Sequence, residues 1–380
     1  MDGAPDIPKV PANLTVDPPK QTIRNRLLSS RKFQNWAARF LLTRRAVRRD
    51  GLDMFDLVAG FCHSQVLAAL VELGVLEQLR GKPRLSEDLA TACHVPPARM
   101  QVLLRAGVAI GLLRLRRRER FALTRKGAAL LGVPGLSEMI LHHRILYRDL
   151  ADPAAFFRGE TTPELASFWP YVFGAGAAGD PSVADRYSTL MAESQVLVAE
   201  DTLSSVSLAG VSTIMDVGGG TGAFLTAVGA KYPSMKLHLF DLPAVVTGAR
   251  SRFDAAGLSG RATITEGSFR DGSLPKGADA ISLVRVLYDH SDDTVKALLQ
   301  AVYEALPEGG LLLISEPMTG GAAPDRAGDA YFALYTMAMG TGKTRSAEQV
   351  ADLCVEAGFR DVAKKKSPRP FVTSCLTARR

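Results

Sequence analysis

The chain has 380 residues, 47% of them hydrophobic, and a formal net charge of +7. That is enough apolar material for two domain cores and too much for a disordered or low-complexity protein. No stretch reaches the 18 consecutive apolar residues of a spanning helix, and Met1 to Pro19 is proline-rich and polar, unlike a secretory leader, so a cytoplasmic protein is expected. The four cysteines, Cys62, Cys93, Cys354 and Cys375, are scattered without a Cys-x-x-Cys pair, which argues against disulfides and a zinc site; no metal is expected.

Residues 1–50 are read as a proline-rich tip followed by a basic arm. Residues 22–50 carry nine arginines and lysines against Asp50 alone, and this excess, less the slight acidity of residues 1–21, accounts for the whole net charge. Phe33, Trp36, Ala37, Phe40 and Leu41 fall at i, i+3, i+4, i+7 and i+8, an apolar stripe on a helix otherwise studded with arginine. Such a helix suits an anionic membrane surface, peripheral at an inner or intracytoplasmic membrane, or a face packed on its own domain or a partner subunit.

Residues 51–135 predict a helix (Met54 to Glu72), a short one opened by Ser86, a third from Pro97 to Gly111, then two strands, Leu112 to Leu115 and Phe121 to Thr124. This is the order of a winged helix, with Arg116, Arg117, Arg118 and Arg120 at the wing tip. Winged helices bind DNA in many settings, but the third helix offers only Arg99, Gln101 and Arg105 for bases or phosphates, so nucleic acid is not the expected partner. Residues 136–200 read as connecting helices rich in aromatics, among them Tyr147, Phe156, Phe157 and Tyr187, with the adjacent pair His142 and His143.

From residue 201 to the end, strands and helices alternate, which predicts an α/β domain with a mostly parallel sheet. An apolar strand, Thr213 to Val217, runs into Gly218, Gly219, Gly220 and Gly222; a second, Lys236 to Phe240, ends in Asp241. Glycines after the first strand let the backbone turn against a ligand, and a carboxylate at the end of the second accepts ribose hydroxyls, so an adenosine cofactor is expected. Gly218-x-Gly220-x-x-Ala223 also fits the loose dinucleotide pattern. Three features favour S-adenosylmethionine over a nicotinamide. Asp216 would repel a pyrophosphate and suits the ammonium of a methionine moiety. Leu306 to Gly310 leads into the strand Leu311 to Ser315 as in methyltransferases, and two terminal β-type runs, Arg360 to Lys364 and Phe371 to Thr377, read as an antiparallel pair closing the sheet.

With these residues in view, the chain resembles the plant-type class I S-adenosylmethionine-dependent O-methyltransferases, and within them the bacterial carotenoid branch. The anchors are the glycine turn, Asp241-Leu242-Pro243, Gly267-Ser268-Phe269, Val284 to His290 and Pro307-Glu308-Gly309-Gly310. The resemblance implies a Rossmann-like seven-stranded methyltransferase domain behind an N-terminal α-helical winged-helix dimerisation domain, hence a homodimer. It implies that Gly218 and Gly220 line the methionine end, Asp241 with Leu242 the ribose, and Ser268 with Phe269 the adenine. Arg285 stands where the family usually has a lysine beside the cofactor. It also implies methylation of the tertiary hydroxyl of an acyclic hydroxycarotenoid. Two departures stand out. The family's Leu-His-Asp-Trp, whose histidine is the base, is here Leu287-Tyr288-Asp289-His290, and of two glutamates that orient the base only Glu316 is kept, the other position being Thr344.

An alkyl hydroxyl attacks a methyl group well only as its proton leaves, so a base is needed at the carboxyl end of the fourth parallel strand. His290 is expected to be that base, since an imidazole accepts a proton near neutrality and a phenol does not, with Tyr288 as a hydrogen-bonding partner and Glu316 as orienter. His142 and His143 are a second candidate, although neighbours on a helix diverge and a surface role is expected for both. Tyr187, Met191, Tyr331, Tyr335 and Met339 are expected to line a large apolar pocket for a lipophilic small molecule. A methyltransferase for a tetrapyrrole or a phenolic polyketide, and a winged-helix regulator, are the competing readings.

Overall fold

In the computed structural model, residues 22–168 and 194–380 are described here; Tyr187 and Met191 lie outside them. The chain divides within one long helix into two compact units, up to Leu67 and from Ala68 onward.

The first unit holds α1 (Ile23–Leu28), α2 (Arg31–Arg39) and most of α3 (Arg44–Glu72). The basic arm is therefore two short helices and the first turns of α3, which begins ten residues before the expected Met54. Ala46 and Val47 extend its apolar phase, and Gly51 alone is too weak to end a helix. On α2, Phe33, Trp36 and Phe40 form a ladder with ring centroids 5.5 and 4.8 Å apart. Trp36 is 51% exposed and Phe40 41%, beside exposed Leu41 and Leu42. Although no 18-residue run is wholly apolar, α3 is long and apolar enough to cross a membrane by length and composition.

The second unit opens with the end of α3 and α4 (Val75–Gln78), followed by β1 (Arg84–Leu85), α5 (Ser86–Ala92), α6 (Pro97–Ala109), β2 (Leu113–Arg116) and β3 (Arg120–Leu123). The three strands pair antiparallel in the order β1-β3-β2, a winged-helix sheet whose two-residue first strand is too short to carry a sequence period. Arg118 and Glu119 take left-handed φ of 57° and 54° at the wing tip. Next come α7 (Arg125–Leu131), α8 (Leu136–His142), α9 (Arg144–Asp149), α10 (Pro153–Phe157), α11 (Leu165–Phe168) and the described helix α12, residues 194–205.

The larger sheet is built from β4 (Thr213–Val217), β5 (Lys236–Asp241), β6 (Ala262–Glu266), β7 (Ala280–Val284), β8 (Leu311–Glu316), β9 (Arg360–Lys365) and β10 (Ser374–Arg379) in the order β6-β5-β4-β7-β8-β10-β9. The first five are mutually parallel and β10 runs antiparallel to both neighbours. The last strand starts three residues later than the sequence suggested: Pro368 and Pro370 have no N–H to give a ladder, and Phe371 to Thr373 are spent in a turn closed by Val372 N–H on Arg369 O. Helices α13 (Ala223–Lys231), α14 (Ala249–Ala255), α15 (Asp292–Ala305) and α17 (Ala347–Glu356) cover the sheet, while α16 (Ala333–Ala338) continues a π-helical stretch, Arg326–Phe332. Apolar clusters fill both sides of β4, β7 and β8, which reads as the continuous hydrophobic run of a doubly covered sheet.

Candidate active site

The strand order reverses between β4 and β7, and the carboxyl ends meeting there carry the expected residues. Asp216 on β4 is fully buried: Ser282 of β7 donates its hydroxyl to Oδ1 at 2.6 Å, and Oδ2 has no partner among the described residues. Gly218 takes φ +71°, and a Cβ there would stand 2.8 Å from Val286 Cγ2; a Cβ on Gly219 would meet Asp216 Oδ2 at 2.4 Å. Beyond them Gly220, at φ +61°, faces open space. Asp241 closes this cradle from β5. Its Oδ2 accepts Gly220 N–H at 2.7 Å and its Oδ1 accepts Leu242 N–H at 2.7 Å.

Burial pushes Asp216 up to about 7 and Asp241 up to about 6; the hydrogen bond from Ser282 opposes it at the first, those from Gly220 and Leu242 at the second. A buried carboxylate with one oxygen unpartnered among the described residues, and a part-buried one at the edge of bare backbone, suit an ammonium and a ribose. The residues present therefore fit S-adenosylmethionine: Asp216 and the Gly218 to Gly220 turn would hold its amino-acid end, and Asp241, with lone pairs to spare, its ribose. Ser268 has a local role, its Oγ accepting Arg270 N–H at 3.2 Å to cap the turn that presents Phe269.

His290 is placed beside that same Phe269, rings 5.2 Å apart and edge to face. Arg270 Nη2 lies 3.3 Å from its Nδ1. A guanidinium only donates, so Nδ1 accepts and the neutral ring keeps its proton on Nε2. Burial first, then Arg270 and Arg345, pushes His290 down to about 4. The expected base His290 thus has its Nδ1 engaged by Arg270, two guanidiniums that oppose a further proton, and its ring packed on Phe269.

Tyr288 is buried, its hydroxyl accepting from Arg285 Nη2 at 3.3 Å, and burial raises its pKa, so it remains a phenol and a donor. Arg285 holds a left-handed φ of 58° and also donates to Ser194 Oγ on α12 at 2.7 Å. Strain of this kind is kept where a side chain must be aimed. Glu316 ends β8 and accepts the N–H groups of Val286 and Leu287 at 2.9 and 2.8 Å and of Tyr288 at 3.3 Å.

The acceptor-side expectations are partly gathered. Tyr335 and Met339 are buried in a cluster with Phe156, Leu165 and Ala338. His142 and His143 do not face solvent: their Nε2 atoms lie 2.8 Å from Tyr335 Oη and 2.6 Å from Tyr331 Oη. The expected divergence fails because the helix breaks between them, α8 ending at His142 and α9 starting at Arg144, so both rings reach tyrosines one turn apart. Asp289 lies inside the Leu287 to His290 motif but was given no role there, and Arg345 had no motif to announce it.

A family model described as an O-methyltransferase domain matches residues 147–360, and one described as an O-methyltransferase dimerisation domain matches residues 55–132. A relative from Cereibacter sphaeroides, demethylspheroidene O-methyltransferase, is 57% identical over 93% of either chain. One of the same name from Rhodobacter capsulatus is 48% identical over 99% of this chain and 94% of its own. The structure of human N-acetylserotonin methyltransferase in complex with its methyl donor superposes with a TM-score of 0.73 at 25% identity, covering 86% of this chain and 96% of that one. Carrying a dimerisation domain ahead of a seven-stranded methyl-donor fold, the chain belongs to the S-adenosylmethionine-dependent O-methyltransferase family.

Proposed function

We propose that the acceptor is an acyclic hydroxycarotenoid of the demethylspheroidene type, methylated on its tertiary hydroxyl. The observation that carries this is identity of 57% and 48%, over nearly the whole chain, to two relatives of that name. The buried Tyr335, Met339, Phe156 and Leu165 supply the aromatic and thioether contacts that suit a polyene. When bound, S-adenosylmethionine supplies an electrophilic methyl group. The protein's share is to hold the hydroxyl in line, exclude water and take up a proton. Labelled methyl donor incubated with a hydroxylated acyclic carotenoid, a chlorophyll precursor and a simple phenol tests the assignment. Product from the carotenoid is expected to exceed the others at least tenfold; preference for the phenol or the tetrapyrrole would sink it.

A polyene acceptor resides in a bilayer, and we propose that α1 and α2 dock on an anionic membrane face. Exposed Trp36, Phe40, Leu41 and Leu42 supply the apolar contacts, and the nine basic residues of 22–50 the charge complementarity. Trp36→Ala with Phe40→Ala is expected to abolish flotation with phosphatidylglycerol vesicles while leaving turnover of detergent-dispersed substrate intact. Equal flotation of the variant, or equal binding to neutral vesicles, overturns this.

A further inference from the structure

The turn 286–290 is held on both sides by groups that make no other sense of their burial. From one side the Glu316 carboxylate, 2% exposed, takes the three successive N–H groups of residues 286 to 288. From the other, the segment 341–345 donates to four successive carbonyls. Arg345 Nη1 reaches Leu287 O at 2.9 Å, Lys343 N–H reaches Tyr288 O at 2.8 Å, Thr341 Oγ1 reaches Asp289 O at 3.1 Å, and Arg345 Nη2 reaches His290 O at 2.9 Å. Arg345 is 3% exposed and is itself fixed by Asp292, Nε to Oδ1 at 2.9 Å. A charge-assisted hydrogen bond gains strength in such a site and leaves the turn one arrangement.

Within that turn every polar side chain is engaged, yet one oxygen is left over. Tyr288 takes a bond from Arg285 and gives one to Asp289; His290 takes one from Arg270. Asp289 Oδ1 is buried and has no partner among the described residues. Asp289 stands in the turn that follows β7, at the carboxyl end of the strand next to β4 and its glycine turn.

We propose that Asp289 receives the proton of the acceptor hydroxyl, and that Arg345, with Thr341 and Lys343, is the positioning element that aims it. In the transfer, the acceptor oxygen forms its bond to the methyl carbon, the hydroxyl proton passes to Asp289 Oδ1, and the former carbon–sulfur pair stays on sulfur. Burial first, then the Glu316 charge, raises the pKa of this carboxyl well above its ordinary value, against Arg285 and the hydrogen bond from Tyr288, so that once ionised it is a stronger proton acceptor than a solvated carboxylate. Arg345 supplies from the carbonyl side the orientation that Thr344 cannot.

This rests on the acceptor reading above, and the test keeps the two apart. Wild type, Asp289→Asn, His290→Gln, Arg345→Lys and Thr341→Val are compared for kcat and KM on the hydroxycarotenoid, for affinity toward S-adenosylhomocysteine, and for Tm. Asp289→Asn is expected to lose about 100-fold or more in kcat, the scale of a removed general base, with KM and product affinity within about threefold. Arg345→Lys keeps one charge and loses the fork, so kcat falls about tenfold with KM unchanged. Thr341→Val, which removes one bond of four and leaves the fold, costs a few-fold in kcat at unaltered Tm. Retention of more than a third of kcat in Asp289→Asn, or a loss of product affinity matching the loss of kcat, overturns the proposal, as does a larger kcat loss in His290→Gln. Failure of the wild type on the carotenoid, with turnover of another acceptor, overturns the acceptor reading alone, and the same variants are then compared on that acceptor.

Discussion

Asp216 and Asp241 show how one residue type is tuned by place. Both are pushed up by burial, to about 7 and about 6, so near neutrality a fraction of each is protonated before any ligand arrives. An ammonium beside Asp216 and ribose hydroxyls on Asp241 favour the ionised forms, so binding must expel protons. Titration of S-adenosylmethionine at pH 6.5 in two buffers of different ionisation enthalpy is expected to report net proton release, and affinity is expected to rise from pH 5.5 to 8. Proton uptake, or a flat profile, would contradict these carboxylates as the holders. Both aspartates were legible in the sequence because each stands at the carboxyl end of an apolar strand in one contiguous strand-helix-strand unit. Asp289 was not, since nothing local distinguishes an orphaned carboxyl from a solvated one.

At the scale of elements, the connecting helices α8 and α9 are tied to the π-helical stretch and α16 by the pairs His142 with Tyr335 and His143 with Tyr331. Burial pushes His142 down to about 4, with His143 adding to the effect, and burial lowers His143 as well. A histidine with a depressed folded pKa gives stability that is present above the unfolded value of 6.5 and is lost as pH falls toward 4. Acidification through that window is expected to raise amide exchange across residues 136–149 before the catalytic sheet responds, and His142→Gln should blunt the change. Equal exchange at pH 7 and 4.5 would remove the tie. These contacts join residues 193 and 188 positions apart. The sequence showed two histidines and two tyrosines of the right types but not their pairing, and the helix break that brings both rings to one face is a tertiary outcome.

For the whole molecule, the dimerisation domain begins inside α3, where Met54, Val58 and Phe61 recur at i, i+4 and i+7 and are 61%, 66% and 69% exposed. Large apolar side chains gain roughly 1.5 to 3 kcal/mol each on burial, so a stripe of this length calls for a cover. We propose a second copy of the chain. Val58→Glu with Phe61→Glu is expected to shift the solution mass from twice 40.7 kDa toward 40.7 kDa; a wild type that is already monomeric would defeat it. By itself the sequence determined the sheet class and an adenosine cofactor, because hydrophobic period and glycine placement act over a few neighbouring residues, and Asp216, the Gly309-Gly310 turn and the terminal strand pair pointed to the methyl donor. The tertiary structure decided the rest. It packed His290 on Phe269, brought Arg345 under the turn 286–290 and left Asp289 Oδ1 without a partner among the described residues, since hydrogen-bond saturation depends on partners tens to hundreds of residues away.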